Sequence, residues 1–307
     1  MRVISIKKGY KLSEYGLFSK RTGRRVAGKT EEEVYKKLGM SYIEPELREN
    51  MGEVEASMGD RLPRLVKLGD IKGDLHVHSN YSDGSDSILD LANYAKKLGY
   101  KYINVSDHSK SQHIARGLKD DDVMKKIEEV RKVNSKVKGI RVFCGSEVDI
   151  LADGSLDYDD DILKRLDVVT ASVHSNFRMP REKMTERLVS AIENPYVKIL
   201  GHPTGRLINH RDPYEFDFSK VVLASKKNNK FLEINCVPDR MDLHPNLIKV
   251  AIENGVKLAL GTDLHNLTHF AFMHEGVSLA RRGWCRKSDV INTYDLPHII
   301  KVLGVNK

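Results

Sequence analysis

Short apolar runs alternate with longer amphipathic stretches from Gly73 onward. Seven runs rich in apolar and β-branched residues lie at 73–77, 102–105, 141–144, 167–171, 197–200, 231–234 and 257–260. Between them, apolar residues recur at helical spacing at 87–98, 121–137, 181–194, 219–228 and 246–254. This alternation predicts parallel strands joined by helices. The parallel architecture that suits seven strands is a barrel, in which functional sites lie at the carboxyl ends of the strands.

Residues 1–69 have a different pattern. Short strand-like pieces and the turn-bearing segment RTGRRVAGKT precede a brief predicted helix at 31–38, which Gly39 closes. Thr30 followed by Glu33 fits a capping box at the start of that helix. The stretch that follows is punctuated by Pro45, Gly52, Gly59 and Pro63. The pattern predicts a small α+β appendage over 1–69, with a linker, and a larger α/β domain over 70–307.

Composition adds the class of protein and its expected location. Hydrophobic residues make up 40% of the chain and charged residues 31%, which is typical of a globular protein. No apolar run approaches the roughly 18 residues of a membrane span, and the first residues lack the apolar stretch of a signal peptide. We therefore expect a cytoplasmic protein with no membrane partner. The net charge of +8 favours an anionic partner but does not by itself identify nucleic acid.

Side chains of metal-ligand type follow nearly every predicted strand. They are His76, His78, Asp107, His108, Glu147, His174, His202, Glu233, Asn235, Asp263 and His265. Because residues i and i+2 of a strand face the same side, His76 and His78 are predicted to point into one barrel mouth. Asp263 and His265 repeat this spacing. Imidazole and carboxylate together suit zinc, manganese or iron, whereas an all-oxygen set would indicate magnesium or calcium.

The position of the histidines relative to the strands distinguishes a metal site from incidental histidines. A single histidine in an α/β protein is more often a hydrogen-bonded interior or surface residue than a ligand. Six of the twelve histidines fall at a predicted strand end, and those at 113, 210, 244, 269, 274 and 298 do not. Six histidines at equivalent positions, accompanied by carboxylates, indicate a metal centre at the barrel mouth.

Seven motifs resemble those of a known family. In chain order they are GDLHVHSNYSDG, VSDHS, GSEVDILADGSLDY, ASVHSNF, ILGHPTGR, LEINCVPDRMDLHP and GTDLH. They resemble the motifs of the polymerase-and-histidinol-phosphatase (PHP) family, from residue 73 to about 307. The segments DGSLDY, GHPTGR and VSLARRGWCRKSDVINT are also similar to the C-terminal PHP domain of bacterial and archaeal family X DNA polymerases.

The resemblance implies a distorted (β/α)7 barrel that holds three divalent metal ions, Mn²⁺ or Zn²⁺, with Fe²⁺ as a further candidate. It implies that the first ion is bound by His76, His78, Glu147 and Asp263, the second by Asp83, His108 and His265, and the third by Glu147, His174 and His202. Asp83 rests on the resemblance, because its SDG sequence is also an ordinary turn. The residues expected to be essential for catalysis are Glu147, His76, His78 and Asp263.

Four basic side chains are candidates for binding the substrate phosphate. Arg206, four residues after His202, is favoured, because a guanidinium matches phosphate oxygens in a bidentate fork. Arg178, Lys110 and Arg240 are weaker candidates, for which an ordinary solvated position is the favoured interpretation.

Other polar residues near the motifs have expected supporting positions. Glu233 and Asn235 are expected to orient a ligand histidine, as metal sites commonly require. The aspartates between 149 and 161 resemble a polymerase carboxylate cluster only superficially. We interpret that segment as a solvated loop and the start of a helix.

The segment KLSEYGLFSKRTGRRVAGKTEEEVYKKLGMSYIEPELREN resembles the last part of the family X polymerase thumb and its link to the PHP domain. No helix-hairpin-helix glycine motif, nucleotide-binding GS segment or DxD pair precedes it. The chain therefore offers no recognisable site for two magnesium ions and an incoming nucleotide, and we expect no polymerase activity.

Three functions follow from these patterns. The first is metal-dependent hydrolysis of phosphate esters of DNA, as a 3′–5′ exonuclease or a 3′-end processing enzyme. The second is a small-molecule phosphomonoesterase of the histidinol-phosphatase type, because the same nine ligands serve both reactions. The third is a non-catalytic DNA-binding or accessory module that pairs with a separately encoded polymerase, because residues 1–69 resemble a fragment of a larger interface.

Overall fold

The computed structural model describes residues 1–305, which divide into two units, Met1–Arg64 and the residues from Leu65 onward. The elements of the smaller unit are α1 (Arg2–Lys7), β1 (Tyr10–Ser13), β2 (Gly16–Ser19), β3 (Arg25–Ala27), α2 (Glu31–Lys37) and α3 (Glu53–Met58). Its three strands form an antiparallel sheet. The Thr30 hydroxyl accepts from the Glu33 amide, while the Glu33 carboxylate accepts from the amides of Gly28 and Lys29. The predicted helix start at Thr30 is thus present.

Seven parallel strands form the sheet of the larger unit, neighbouring one another in chain order. They are β4 (Gly73–Val77), β5 (Tyr102–Val105), β6 (Arg141–Asp149), β7 (Val168–Ser172), β8 (Val197–Leu200), β9 (Phe231–Asn235) and β10 (Leu258–Gly261). The first strand meets the segment after the last one. The His78 amide donates to the Leu264 carbonyl, and the Asp263 amide donates to the His76 carbonyl. The sheet is therefore a nearly closed barrel.

Helices connect the strands and cover the outside of the barrel. They are α4 (Ile88–Lys97), α5 (Asp120–Lys136), α6 (Asp160–Leu163), α7 (Arg181–Glu193), α8 (Phe218–Lys227), α9 (Pro245–Glu253), α10 (Met273–Arg282) and α11 (Leu296–Leu303). Capping side chains fix the starts of two of these helices. Ser87 and Asp217 each accept a hydrogen bond from a backbone amide in the first turn of the helix that follows. Across residues 1–305, no helix combines the length and apolar character needed to cross a membrane.

One apolar side chain from each barrel strand contributes to a separate cluster, which we call the floor. Its members are Leu75, Tyr102, Phe143, Val168, Ile199, Phe231 and Ala259, closed by Ile291, Ile299, Leu303 and Val305. The opposite faces of the same strands pack in a second cluster with the helices. Because strand side chains alternate between faces, the floor fills the inside of the barrel and the second cluster lies outside it.

The predicted α/β barrel of seven strands with a small α+β appendage is confirmed. Two local differences have clear causes. Strand β6 continues to Asp149, because residues from Gly145 to Asp149 pair with β7, so Glu147 lies inside a strand and not after one. Strand β4 shifts its register between Asp74 and Val77, which places Leu75 in the floor while His76 still faces the mouth.

Candidate metal centre

Glu147 lies at the centre of the barrel mouth. Its Oε1 is 2.8 Å from Nε2 of His202 and 3.2 Å from Nε2 of His174. Its Oε2 is 3.0 Å from Nδ1 of His108 and 3.5 Å from Nε2 of His76. The two oxygens of one buried carboxylate thus face different histidines. A carboxylate that bridges two ions offers one oxygen to each ion, and the two oxygens of Glu147 are placed for such a role.

The structure brings the nine predicted ligands together at the mouth, and eight of them fall into groups whose donor atoms lie within 4.8 Å of one another. The groups are His78, Asp83, His108 and His265; His76, His78 and Asp263; and His108, Glu147 and His174. His202 adjoins the third group through Glu147. His78 and His108 each belong to two groups, which differs from the predicted division. The assignment of each residue to an ion therefore stays a prediction.

Carboxylate and amide side chains hold several of these residues from behind. Oε1 of Glu233 is 2.6 Å from Nδ1 of His76, and its Oε2 accepts the His202 amide at 2.6 Å. Asn235 donates its side-chain amide to Oδ2 of Asp263 at 3.1 Å. A bond at Nδ1 fixes the ring and leaves Nε2 of His76 directed into the mouth. Glu233 thus contacts a predicted ligand histidine, as expected, whereas Asn235 contacts the carboxylate of Asp263 and not a histidine.

Asp149 is a residue of the centre that the sequence analysis missed. It is buried, with Oδ1 2.6 Å from Nδ1 of His174 and Oδ2 accepting from the Gln112 side chain at 2.7 Å. Asp157 is also buried, whereas Asp153 is exposed. The interpretation of DGSLDYDDD as a solvated loop is therefore wrong at Asp157, whereas the expected helix start is present at Asp160. Asp149 shares a face with Glu147 because β6 continues to Asp149, and this continuation depends on pairing with β7.

A buried ion pair supports the turn that carries Asp83. Nζ of Lys126, on α5, is 2.7 Å from Oδ2 of Asp107, and both side chains are fully enclosed. The Asp107 carboxylate also accepts from the Ser79 amide and from the hydroxyls of Ser79 and Ser82. Burial alone would raise the pKa of Asp107, but Lys126 and these hydrogen bonds hold it well below its usual range. The pair thus fixes the approach of Asp83.

Two residues of the mouth have backbone conformations that side chains disfavour. His202 has φ 24° and Asp263 has φ 49°. Residues held in this region cost about 1–3 kcal/mol each, and such strain is concentrated at functional sites.

The loop after His202 is held by Asp242, whose carboxylate accepts hydrogen bonds from the Thr204 amide and hydroxyl and from the Gly205 amide.

The electrostatics of the mouth favour bound cations. Burial alone would raise the pKa of Glu147, but His174, His76 and His108 hold it well below its usual range. Burial lowers the pKa of His174, while Glu147 and Asp149 together raise it to about 10. In the metal-free protein, the carboxylates beside His174 therefore keep this imidazole protonated, and a divalent ion bound there would replace the proton.

The guanidinium of Arg206, the favoured phosphate ligand, is turned toward a neighbouring loop. Its Nε donates to the Arg240 carbonyl at 2.7 Å, and its Nη2 donates to the Met241 carbonyl. Burial lowers the pKa of Arg206 against the opposing effect of Asp242. These contacts give Arg206 a role in holding the loop. A phosphate-binding role for it stays a prediction.

The other three basic candidates have different surroundings. Nε of Arg240 is 3.6 Å from Oδ2 of Asp263, and its Nη1 is buried without a hydrogen-bond partner. Nζ of Lys110 is 3.6 Å from Asp120 on a partly exposed surface. Arg178 is exposed. Of the four candidates, Arg240 is the one whose side chain pairs with a predicted metal ligand.

The donor set fits divalent metal ions. Nδ1 of His78 and Nδ1 of His108 are buried without hydrogen-bond partners. They lie 3.7 Å from Oδ1 of Asp83 and 3.0 Å from Oε2 of Glu147, respectively. Imidazole nitrogens that face carboxylate oxygens without bonding them are arranged as ligands of a shared cation. This mixture of donors suits zinc or manganese.

Comparisons with known proteins identify the family. The PHP domain model matches residues 74–237, and the model described as DNA polymerase beta thumb matches residues 1–49. The chain is 40% identical over 306 residues to "DNA polymerase/3'-5' exonuclease PolX" of Bacillus subtilis. The aligned region covers 100% of this chain and 53% of that protein. The chain thus spans about half the length of this relative.

Two further similarities concern the barrel. The chain is 33% identical over 231 residues to a Thermoanaerobacter sp. protein named "Probable phosphatase", covering 72% of this chain and 89% of that protein. The fold resembles that of Lactococcus lactis histidinol phosphate phosphatase, which was solved with zinc, L-histidinol and phosphate. The TM-score is 0.51 and the sequence identity is 18%, and the match covers 69% of this chain and 93% of that one. The chain therefore belongs to the PHP domain family and is a metal-dependent hydrolase of phosphate ester bonds.

Proposed function

We propose that this chain hydrolyses phosphate esters of DNA, as a 3′–5′ exonuclease or a 3′-end processing enzyme. The observation that carries the DNA assignment is the 40% identity to PolX, which extends over the whole chain and so includes both units. The net charge of +8 supports an anionic polymer as substrate. Mn²⁺ or Zn²⁺ is the proposed metal, with Fe²⁺ as a further candidate.

The proposed mechanism assigns distinct tasks to the residues of the mouth. Bound ions would supply an activated water and would stabilise charge on the phosphoryl oxygens. Glu147 would hold two ions through its separate oxygens, while Glu233 and Asp149 orient His76 and His174. No serine or cysteine nucleophile is required, because in direct hydrolysis water would form the new P–O bond as the bond to the leaving oxygen breaks and that oxygen takes up a proton.

The solvent exposure of the predicted ligands indicates where the site opens. The side chains of Asp83 and His265 are 30% and 35% exposed, and Oδ2 of Asp83 is 3.2 Å from Nε2 of His265. The other predicted ligands are more deeply buried. We infer that the substrate phosphate enters beside Asp83 and His265 and reaches Glu147 from that side.

A small-molecule phosphomonoesterase is the second candidate. It is supported by the similarity to the Thermoanaerobacter phosphatase, which extends over 89% of that protein. A non-catalytic accessory module for a separately encoded polymerase is the third, and it predicts binding to DNA without hydrolysis. All nine predicted ligand positions carry residues that can bind a metal ion, and this complete set favours hydrolysis over a non-catalytic role.

Labelled oligonucleotides test the proposal. The manganese-loaded protein is incubated with a 3′-labelled and a 5′-labelled single strand, and separately with histidinol phosphate, beside a His76→Ala control. Stepwise shortening from the 3′ end that the control lacks would support the proposal. Turnover of histidinol phosphate alone would favour the metabolic phosphatase, and no turnover of either would favour the accessory module. Metal analysis giving one equivalent or fewer would refute a trinuclear centre.

A further inference from the structure

Two arginines lie on the joined loops that follow β8 and β9. Arg211 belongs to the first loop and Arg240 to the second. The loops are connected by the bond from Nε of Arg206 to the Arg240 carbonyl, at 2.7 Å, and by a bond from the Ile208 amide to the Asp239 carbonyl, at 2.6 Å. The backbones that carry Arg211 and Arg240 are therefore fixed relative to each other.

The Arg240 guanidinium has unused donor capacity at the edge of the metal centre. Its Nε lies 3.6 Å from Oδ2 of Asp263, and its side chain is 17% exposed. Its Nη1 is buried and has no hydrogen-bond partner. A guanidinium carries five N–H donors, and a buried donor without an acceptor is unfavourable. The position therefore suits an anionic acceptor that the protein itself does not supply.

Arg211 is a second cation without a carboxylate partner. Its Nε donates to the Gly205 carbonyl at 2.8 Å, and its guanidinium lies 3.7 Å from the centroid of the Phe177 ring. Within residues 1–305, no carboxylate lies within ion-pair distance of it. Burial and the charge of Arg240 both lower the pKa of Arg211. Two neighbouring guanidinium groups of like charge are stabilised when an anion binds between or beside them.

We propose that Arg240 contacts the phosphate that is hydrolysed and that Arg211 contacts the next phosphate of the same strand. This inference rests on the proposed function and specifies its substrate as a chain of phosphodiesters. The contact at Arg211 gives the site a preference for a nucleic-acid strand over a substrate with one phosphate. Arg206 is then a positioning residue, because its guanidinium holds the Arg240 loop.

Binding of single-stranded DNA to the metal-free protein tests the role of Arg211 without catalysis. The probe is a fluorescein-labelled oligothymidylate of about ten nucleotides, in EDTA, followed by anisotropy across a salt series. Arg211→Gln should weaken binding roughly tenfold, as loss of a charge-assisted hydrogen bond predicts. It should also make the slope of log K against log salt shallower by about 0.7, the value for one lost phosphate contact on a single strand.

Arg165→Gln is the matched control. Arg165 is exposed, and its Nε donates to a backbone carbonyl, that of Asp161, as Nε of Arg211 does to Gly205. The control therefore removes the same charge and the same type of bond. Arg211→Lys keeps the charge and loses the planar fork, so its affinity should lie between those of the parent and Arg211→Gln. Thermal unfolding of each variant verifies that the fold is retained.

Hydrolysis provides the second measurement. The substrates are thymidylyl-thymidine, which has one phosphate, and an oligothymidylate with several. In Arg211→Gln, the ratio of kcat/KM for the longer substrate to that for the shorter one should fall about tenfold. Equal losses in Arg211→Gln and Arg165→Gln, or an unchanged ratio, would overturn the inference alone. A parent protein that binds no single-stranded DNA and cleaves only histidinol phosphate would overturn the proposed DNA function itself.

Discussion

The two ends of the barrel interior are built from the same strands but differ in character. At the floor, every strand contributes an apolar side chain, and residues from the end of the chain close the cluster. Two and four positions further along β6 and β9, the inward residues are small or polar: Phe143 precedes Gly145 and Glu147, and Phe231 precedes Glu233 and Asn235. The transition from packing to chemistry therefore occurs within a single strand.

This difference separates the source of stability from the site of function. Burial of the floor residues contributes favourable free energy roughly in proportion to their apolar area. The mouth instead buries carboxylates and imidazoles and holds His202 and Asp263 in disfavoured backbone conformations. The floor offsets these costs. Changes at the mouth should therefore remove function and leave the fold, and changes at the floor should do the reverse.

Glu147→Gln should have the largest effect. The substitution keeps the shape of a buried side chain that faces five histidines but removes the charge on which ion bridging depends. Phosphate-ester hydrolysis should fall below detection, and the bound metal should decrease by at least one equivalent, with retained secondary structure by circular dichroism. Glu128→Gln, on the exposed face of α5, is the control. Full activity of Glu147→Gln would remove this residue from the mechanism.

Phe143→Ala should break the floor. Phe143 is fully buried, and truncation of such a side chain costs about 3–5 kcal/mol of unfolding free energy. Urea denaturation in EDTA measures the loss, and Leu223→Ala, at a position 61% exposed, should change little. The folded fraction of Phe143→Ala should still bind its full complement of metal. A variant that lost metal without losing stability would contradict the division between floor and mouth.

Asp149→Asn should have an intermediate effect, confined to the mouth. The substitution weakens the partner of Nδ1 of His174, and loss of such an orienting contact typically lowers metal affinity or activity by about 10–100-fold. Metal titration against a competing chelator measures the change. Asp153→Asn is a matched control, because Asp153 is exposed and its carboxylate accepts hydrogen bonds from the amide and hydroxyl of Ser155. Similar behaviour of the two variants would exclude an orienting role for Asp149.

Much of the fold was predictable because each barrel strand is a short apolar run between helices of clear periodicity. The bounds of β4, β5 and β8 agree with the predicted runs. The continuation of β6 past Gly145 was not predictable from local pattern, because its last residues are polar and their strand conformation depends on pairing with β7. Helix α1 was missed for the opposite reason: its sequence, RVISIK, is rich in β-branched residues that favour a strand.

The ligand positions were predictable because metal chemistry restricts residue types, whereas the supporting contacts were not. Lys126 lies on the apolar face of α5 between Val123 and Val130, yet nothing in the sequence identifies Asp107 as its partner. Arg206 was favoured over Arg240 by its spacing from His202 alone. Side-chain direction decides such cases, and it depends on contacts between loops that are distant in sequence.

The pH dependence of metal binding tests the mouth without any substitution. Burial lowers the pKa values of His174 and His265, but neighbouring carboxylates raise them to about 10 and about 9 in the metal-free protein. Both imidazoles are then protonated at pH 7, and this protonation stabilises the metal-free fold fully below pH about 6.5 and is lost as pH rises through about 9 to 10. Metal binding needs neutral imidazoles and must release these protons.

Metal affinity should therefore strengthen as pH rises from 7 to 9, about tenfold per pH unit for each proton released. Calorimetry in two buffers of different ionisation enthalpy measures the number of protons released on metal binding. Asp149→Asn should release fewer protons than the parent, because removing the Asp149 charge lowers the pKa of His174. A pH-independent affinity would mean that the ions do not displace protons from these histidines, and the mouth would then not bind metal through them.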